Sequence, residues 1–168
     1  MWAGQNWSTT PDIMCLAKGV AGGIPMGVTF AKPEIIEAMS TGEHSSTFAG
    51  NPLACAAGTA TIDALTEDKL VENAAKVGKY FKEGLLMLKD NHKIIRDVRG
   101  LGLMLAVELR FDVKDVLFDG IKNGLLMLYS GRSIIRLLPP LVIDEDIVSI
   151  ILKKMDELFT KEERRRNV

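Results

Sequence analysis

Asp12-Ile13-Met14-Cys15-Leu16-Ala17-Lys18-Gly19 is the stretch on which the fold turns. From Ile13 to Ala17 every position is apolar, the mark of a strand buried on both faces, as in a parallel sheet covered by helices. Lys18 follows at that strand's C-terminal end, where open α/β sheets hold their ligands. The glycine-rich stretch Gly19 to Gly27 gives way to Val28-Thr29-Phe30-Ala31, a second short strand, and Pro33 opens a helix carrying Ile35, Ile36 and Met39. The expected class is α/β.

Downstream, a polar loop from Ser40 to Gly50 precedes Asn51-Pro52, where Asn suits an N-cap and Pro a first helical position. The helix that follows is rich in small residues (Ala54, Cys55, Ala57, Ala60, Ala64), which fits a crowded interior or an interface. A break with Thr66 as cap is expected near Thr66 to Lys69. Leu70, Ala74, Val77, Phe81, Leu85 and Leu88 then recur at steps of three and four, the face of one long helix to about Lys89. Ile94-Ile95 and Leu103 to Leu109, on either side of the turn Arg99-Gly100-Leu101-Gly102, read as antiparallel strands. A helix is expected over Val113 to Asn123, strands over Leu125 to Leu128 and Ser133 to Leu138, and an Asp144-capped helix bearing Ile147, Ile150, Ile151, Met155, Leu158 and Phe159. The charged tail Lys161 to Asn167 reads as frayed. Residues 1–66 form one part, a parallel α/β layer, and residues 67–168 a second, α+β part.

The chain has 168 residues, 47% of them hydrophobic and 26% charged, a soluble globular composition. Twenty-one Lys and Arg against 22 Asp and Glu give a net charge of −1, without the basic excess that nucleic-acid binding uses. Cys15 and Cys55 have no neighbouring cysteine or histidine at metal-ligand spacing, and no run reaches the length of a membrane span. With no signal-peptide pattern at Met1, the expected location is cytoplasmic. Nothing before Pro11 reads as a first structural element, although Trp2 and Trp7 are residues that seek burial.

Three places could carry chemistry. Lys18 at a buried strand end is a nucleophile if desolvation favours its neutral amine; otherwise it is an exposed lysine closing a strand. Ser45-Ser46-Thr47, just before a helix N-terminus, could bind an anion through hydroxyls and backbone donors, or could simply cap and solvate the loop. Arg136 sits in the apolar frame Ile134-Ile135-Arg136-Leu137-Leu138. It needs an anionic partner if buried, or it is an edge-strand arginine facing solvent. Arg96 and Arg99 flank polar or turn residues and read as structural. His44 is a lone loop histidine.

Taken in order, Leu16-Ala17-Lys18-Gly19 with Gly22-Gly23-Ile24-Pro25-Met26-Gly27, Ser46-Thr47-Phe48-Ala49-Gly50-Asn51-Pro52, Arg99-Gly100-Leu101-Gly102-Leu103 and Ile135-Arg136-Leu137-Leu138-Pro139-Pro140 resemble the class III aminotransferases. The chain looks most like their acetylornithine and ornithine branch, over nearly its whole length. The resemblance implies the C-terminal part of a fold type I large domain over residues 1–66, with the α+β small domain over 67–168. It implies that Lys18 binds pyridoxal 5′-phosphate covalently and, once released, shuttles a proton between the substrate's Cα and the cofactor's C4′. Thr47, with Ser46 beside it, would bind the cofactor phosphate of a neighbouring protomer in a homodimer, and Arg136 the α-carboxylate of 2-oxoglutarate, glutamate or the amino donor. Ser45 and Ala49 stand where many relatives have glycine. The aspartate that pairs with the pyridine nitrogen is expected upstream of Met1, so activity is expected to need a complementary N-terminal half. The other reading is a non-catalytic dimerising module derived from such an enzyme.

Overall fold

The computed structural model describes all residues, Met1–Val168. They form two compact units, Met1–Lys69 and Leu70–Val168.

In the first unit a 3-10 turn, Ala3–Trp7, leads to strand β1 (Ile13–Leu16), a second 3-10 turn (Lys18–Ala21), strand β2 (Val28–Ala31), the single-turn helix α1 (Pro33–Ile36) and helix α2 (Pro52–Glu67). β1 and β2 pair antiparallel, from Ile13 opposite Ala31 to Leu16 opposite Val28. This differs from the parallel, doubly covered strand expected of the apolar run. The connection between the strands holds only a 3-10 turn, whereas a parallel pair needs a crossover of a dozen or more residues, usually helical. Both faces of the pair remain accessible, with Ile13 54% and Phe30 47% exposed. Asn51 caps α2 as expected, its Oδ1 accepting from the Ala54 amide at 3.1 Å, with Pro52 at the first helical position. Of the small residues on α2, Ala54 and Gly58 are buried, and Cys55 and Ala60 are exposed. Thr66 is not a cap. Its hydroxyl donates back to the Ile62 and Asp63 carbonyls, and the break comes at Lys69, whose φ is +52°.

The second unit packs helices α3 (Leu70–Asn91), α4 (Lys114–Lys122) and α5 (Glu145–Arg166) on one face of a four-stranded sheet of β3 (Ile95–Leu101), β4 (Met104–Leu109), β5 (Leu128–Ser130) and β6 (Ile134–Leu137). The sheet order is β3-β4-β6-β5, antiparallel throughout. Period-2 alternation sorts the strands cleanly. Leu105, Val107, Leu109, Ile135 and Leu137 are buried against Val77, Phe81 and Leu85 of α3 and Val148, Met155 and Phe159 of α5. Met104, Ala106, Glu108, Ile134 and Arg136 alternate with them and so belong to the open face. α3 presents the face read from its spacing. α5 begins at the expected Asp144 cap, which accepts from the Ile147 amide at 2.9 Å, but its buried stripe is rotated. Val148 is fully buried, while Ile147 and Ile150 are about half exposed.

Two further expectations are corrected. Strand β5 starts at Leu128, not Leu125, because Gly124 (φ +72°) and the Leu125 amide bonded to the Gly120 carbonyl at 2.9 Å prolong the helix C-cap. The tail does not fray. α5 continues to Arg166, with Glu162 only 1% exposed and held by Arg165 Nη1 at 2.6 Å and Arg166 Nε at 2.7 Å.

Candidate functional site

Lys18 leaves β1 through an extended Ala17 and adopts φ +58°, opening the 3-10 turn Lys18–Ala21. The other non-glycine residues with positive φ, Ser8, Lys69 and Asn167, each close a helix; Lys18 opens one. A left-handed lysine costs roughly 1–2 kcal/mol, a strain that persists only where its surroundings hold it. Helix α2 does so here. Ala21 is 1% exposed. A Cβ on Gly58 would lie 3.1 Å from Met26 Sδ and 3.7 Å from the Val20 carbonyl, and one on Gly22 would lie 3.1 Å from Thr61 Oγ1. The side chain of Lys18 is exposed, so the first unit does not supply the desolvation expected at a buried strand end.

Ser46 and Thr47 lie in the exposed loop between α1 and α2, shaped by hydrogen bonds from the Ala49 amide to the Ser46 carbonyl (3.0 Å) and from the Asn51 amide to the Phe48 carbonyl (3.3 Å). The helix cap belongs to Asn51. The two hydroxyls are thus left without that role. His44 is exposed in the same loop.

Arg136 occupies an interior strand, cross-paired with Ala106 of β4 and Leu128 of β5, which removes the edge-strand reading. Its Nε is buried and has no hydrogen-bond partner, the one such side-chain atom in the chain. A buried N–H left unmade costs about 1–3 kcal/mol. Around it the open face carries Arg96 and Arg99, expected from sequence to be structural, together with the carboxylates of Glu108 and Asp97. Glu108, its side chain 17% exposed, receives Arg99 Nη1 at 2.7 Å and Arg96 Nη1 at 3.2 Å. Arg99 also reaches Asp97 at 2.9 Å. The hydrogen bonds that Arg99 donates to Glu108 first and Asp97 second push its guanidinium further up, and Arg99 in turn lowers Asp97. A register shift between Ile95 and Asp97 makes this possible. By strict alternation Arg96 would point with Val98 into the core; the bulge re-aims it at Glu108.

His92 escaped the sequence reading altogether. It is 4% exposed, with Nδ1 3.0 Å from Glu163 and Nε2 2.9 Å from Asp156 and its ring edge-on to Phe159. The available signal was on α5, where two carboxylates seven residues apart flank an apolar position on one helical face. A groove of about 460 Å³ between α4 and β5, lined by Val113, Leu117, Phe118, Ile121, Met127 and Tyr129, contains none of the candidate residues. No helix is long and apolar enough to cross a membrane.

Residues 1–159 match the family profile described as aminotransferase class-III. The chain belongs to that family. Among curated class III relatives, the acetylornithine aminotransferase of Caldanaerobacter subterraneus subsp. tengcongensis is 39% identical over 158 residues, covering 94% of this chain and 40% of that protein. Ornithine aminotransferase 1 of Staphylococcus aureus strain MRSA252 is 38% identical over 160 residues, with the same shares of 94% and 40%. The crystal structure of acetylornithine aminotransferase from Elizabethkingia anophelis matches at a TM-score of 0.90 and 33% identity, over 95% of this chain and 41% of that one. An ornithine aminotransferase from Toxoplasma gondii, whose active site holds PLP at partial occupancy, matches at a TM-score of 0.93 and 29% identity, over 99% of this chain and 40% of that one. The mixed helix and sheet architecture is therefore that of the class III aminotransferases across the chain. The chain spans about 40% of the length of the curated relatives it matches.

Proposed function

We propose that this chain carries the cofactor lysine and the carboxylate-binding arginine of an aminotransferase. Its reaction moves an amino group from acetylornithine or a related ω-amino substrate to 2-oxoglutarate, with pyridoxal 5′-phosphate, in arginine or lysine biosynthesis in the cytoplasm. The observation that supports this most is Arg136, a buried guanidinium nitrogen left without a partner on an otherwise apolar interior strand. An internal anion would have satisfied it; a substrate carboxylate would do so from outside, through two parallel N–H···O bonds.

The residues present also suit the cofactor. An exposed amine on a pinned turn and two hydroxyls with no capping duty are the donor set that a phosphorylated aldehyde requires. When bound, the cofactor supplies an electron sink for negative charge at the substrate's Cα. Lys18 Nζ would hold it covalently and, once free, take and return the Cα proton. Ser46 and Thr47 would donate to the phosphate of a neighbouring protomer, which makes the working form a homodimer. A complementary N-terminal half would supply the acid partner of the pyridine nitrogen.

The test is borohydride reduction of the chain with pyridoxal 5′-phosphate and the complementary N-terminal half, followed by peptide mass mapping. Label at Lys18 is expected. Label spread over other lysines, or none with both parts present, overturns the reading. A second reading, a non-catalytic dimerising module, draws support from Phe48 (80% exposed) and Leu53 (69%) beside the Thr47 loop. Turnover of acetylornithine and 2-oxoglutarate by the isolated chain well above that of free cofactor would sink it.

A further inference from the structure

The open face of the second unit's sheet poses a question of charge. Arg136 stands directly across from Ala106, and Glu108 directly across from Ile134. Glu108 and Arg136 are therefore diagonal neighbours on one face, separated by roughly 7–8 Å at the backbone, a gap that long side chains bridge. A largely buried carboxylate beside a guanidinium with an orphaned nitrogen has every electrostatic reason to pair with it. It does not. Glu108 Oε1 is taken by Arg96 and Oε2 by Arg99. Asp97, directly across from Glu108 on this face, is held by Arg99 at 2.9 Å and by Lys89, reaching from α3, at 3.7 Å. Both carboxylates are committed, one of them through a bulge that turns Arg96 away from the core.

We infer that Arg99, assisted by Arg96, is a positioning residue that withholds Glu108 from Arg136 and so keeps the Arg136 guanidinium free to receive a substrate carboxylate. The inference rests on the proposed role of Arg136 and adds what maintains that role. The arrangement works as a selector between two closed pairings. Glu108 can satisfy Arg99 and Arg96, leaving Arg136 open, or it can swing diagonally to Arg136 and shut the site. Removing the Arg99 charge releases Oε2, the better-held oxygen, and shifts the balance toward the shut pairing. The competing bond is charge-assisted, so carboxylate affinity at Arg136 should fall about tenfold or more.

The experiment uses the 168-residue chain and 2-oxoglutarate as the probe, followed through the arginine Nε–H resonances. In the unmodified chain, 2-oxoglutarate should shift the Arg136 Nε–H. Arg99→Gln should weaken that binding about tenfold and, with no ligand added, should give the Arg136 Nε–H the downfield shift and slowed exchange of a hydrogen-bonded group. Arg99→Lys, which keeps the charge beside Glu108, should bind as the unmodified chain does. Adding Glu108→Gln to Arg99→Gln should restore affinity. Arg96→Gln, at a more exposed position, should weaken binding about threefold and covers the case in which Arg99→Gln does not fold. If Arg136→Gln abolishes binding while neither Arg99→Gln nor Arg96→Gln weakens it, the positioning role is overturned and the carboxylate reading stands. If Arg136→Gln leaves 2-oxoglutarate affinity unchanged, the carboxylate reading falls and this inference with it.

Discussion

The hairpin that carries Arg99 and Glu108 is seated on α3 by a contact between two glycines, and replacing one of them tests how that seat is built. A Cβ on Gly78 would lie 2.2 Å from both the carbonyl carbon and the oxygen of Gly102 and 2.7 Å from its Cα, against 3.4–4 Å for ordinary contact. Relief requires the helix and the β3–β4 turn to part by more than about 1 Å, because every atom in the way is backbone. The turn has little freedom to yield, since Gly102 sits at φ +53° and Gly100 at φ +147°. Six residues along, a Cβ on Gly84 would also be crowded, at 2.3 Å, but by the Cδ1 of Leu152, the end of a half-buried side chain that can rotate. Gly→Ala inside a helix gains roughly 1 kcal/mol of propensity at either site, and overpacking costs about 1–3 kcal/mol. Gly84→Ala should therefore end within about 1 kcal/mol of the unmodified chain. Gly78→Ala should lose about 2 kcal/mol, on the order of 10 °C in Tm for a cooperative unit of this size. Urea unfolding followed by circular dichroism, with hydrogen exchange at the Val107 and Ile135 amides to isolate the second unit, gives both values. If the two variants are equally stable, or Gly78→Ala is the more stable, the backbone seat is not what limits this packing.

Two other outcomes follow from the buried charges. Arg136→Met removes the orphaned N–H while keeping an unbranched stem, so the chain should gain about 1 kcal/mol in urea unfolding and lose the 2-oxoglutarate response; a destabilised variant would show that the guanidinium is satisfied in a way the structure does not contain. Hydrogen bonds from Lys161 first and Arg165 second hold the Asp119 carboxyl below its ordinary range. A carboxylate whose folded pKa is depressed stabilises the fold above its unfolded pKa and loses that contribution as pH falls through the folded one. Urea midpoints should accordingly drop below about pH 4, and Asp119→Asn should flatten that drop while lowering stability at neutral pH; an unchanged acid slope would remove Asp119 from the account.

What could be read from sequence was what neighbouring residues settle among themselves. Asn51 and Asp144 announce their helices because a cap is a contact over three residues, and the Val77, Phe81, Leu85, Leu88 stripe announces its buried face because helical geometry is periodic. Antiparallel pairing of β1 with β2 was missed because an apolar run says that a strand is present and not which way its partner runs. The Arg96 bulge was missed because one extra residue reverses the inside–outside alternation without changing composition. His92 was missed because Asp156 and Glu163 lie 64 and 71 positions away. The tail was misread because a run of charges looks solvated until Asp119 and Glu162 are seen to bind it to α4 and to itself. At the candidate site, residue types and order were legible. The strain at Lys18, the interior position of Arg136 and the network around Glu108 required coordinates.

The buried polar side chains of the second unit fall into two groups. Glu162, at 1% exposed, is answered by Arg165 and Arg166; His92, at 4%, by Asp156 and Glu163; Asp119, at 7%, by Lys161 and Arg165. Each pairing closes on itself, as a buried polar or charged group must if it is not to destabilise the fold. Arg136 breaks the pattern even though a carboxylate stands diagonally beside it on the same face. A sequence shaped for stability alone would let Glu108 reach it, or would place an apolar residue there and gain from the exchange. A fold that supplies partners to its other buried polar groups, yet binds the nearest carboxylate elsewhere, leaves Arg136 Nε the one buried side-chain nitrogen without a partner, which is the condition the proposed carboxylate-binding role requires.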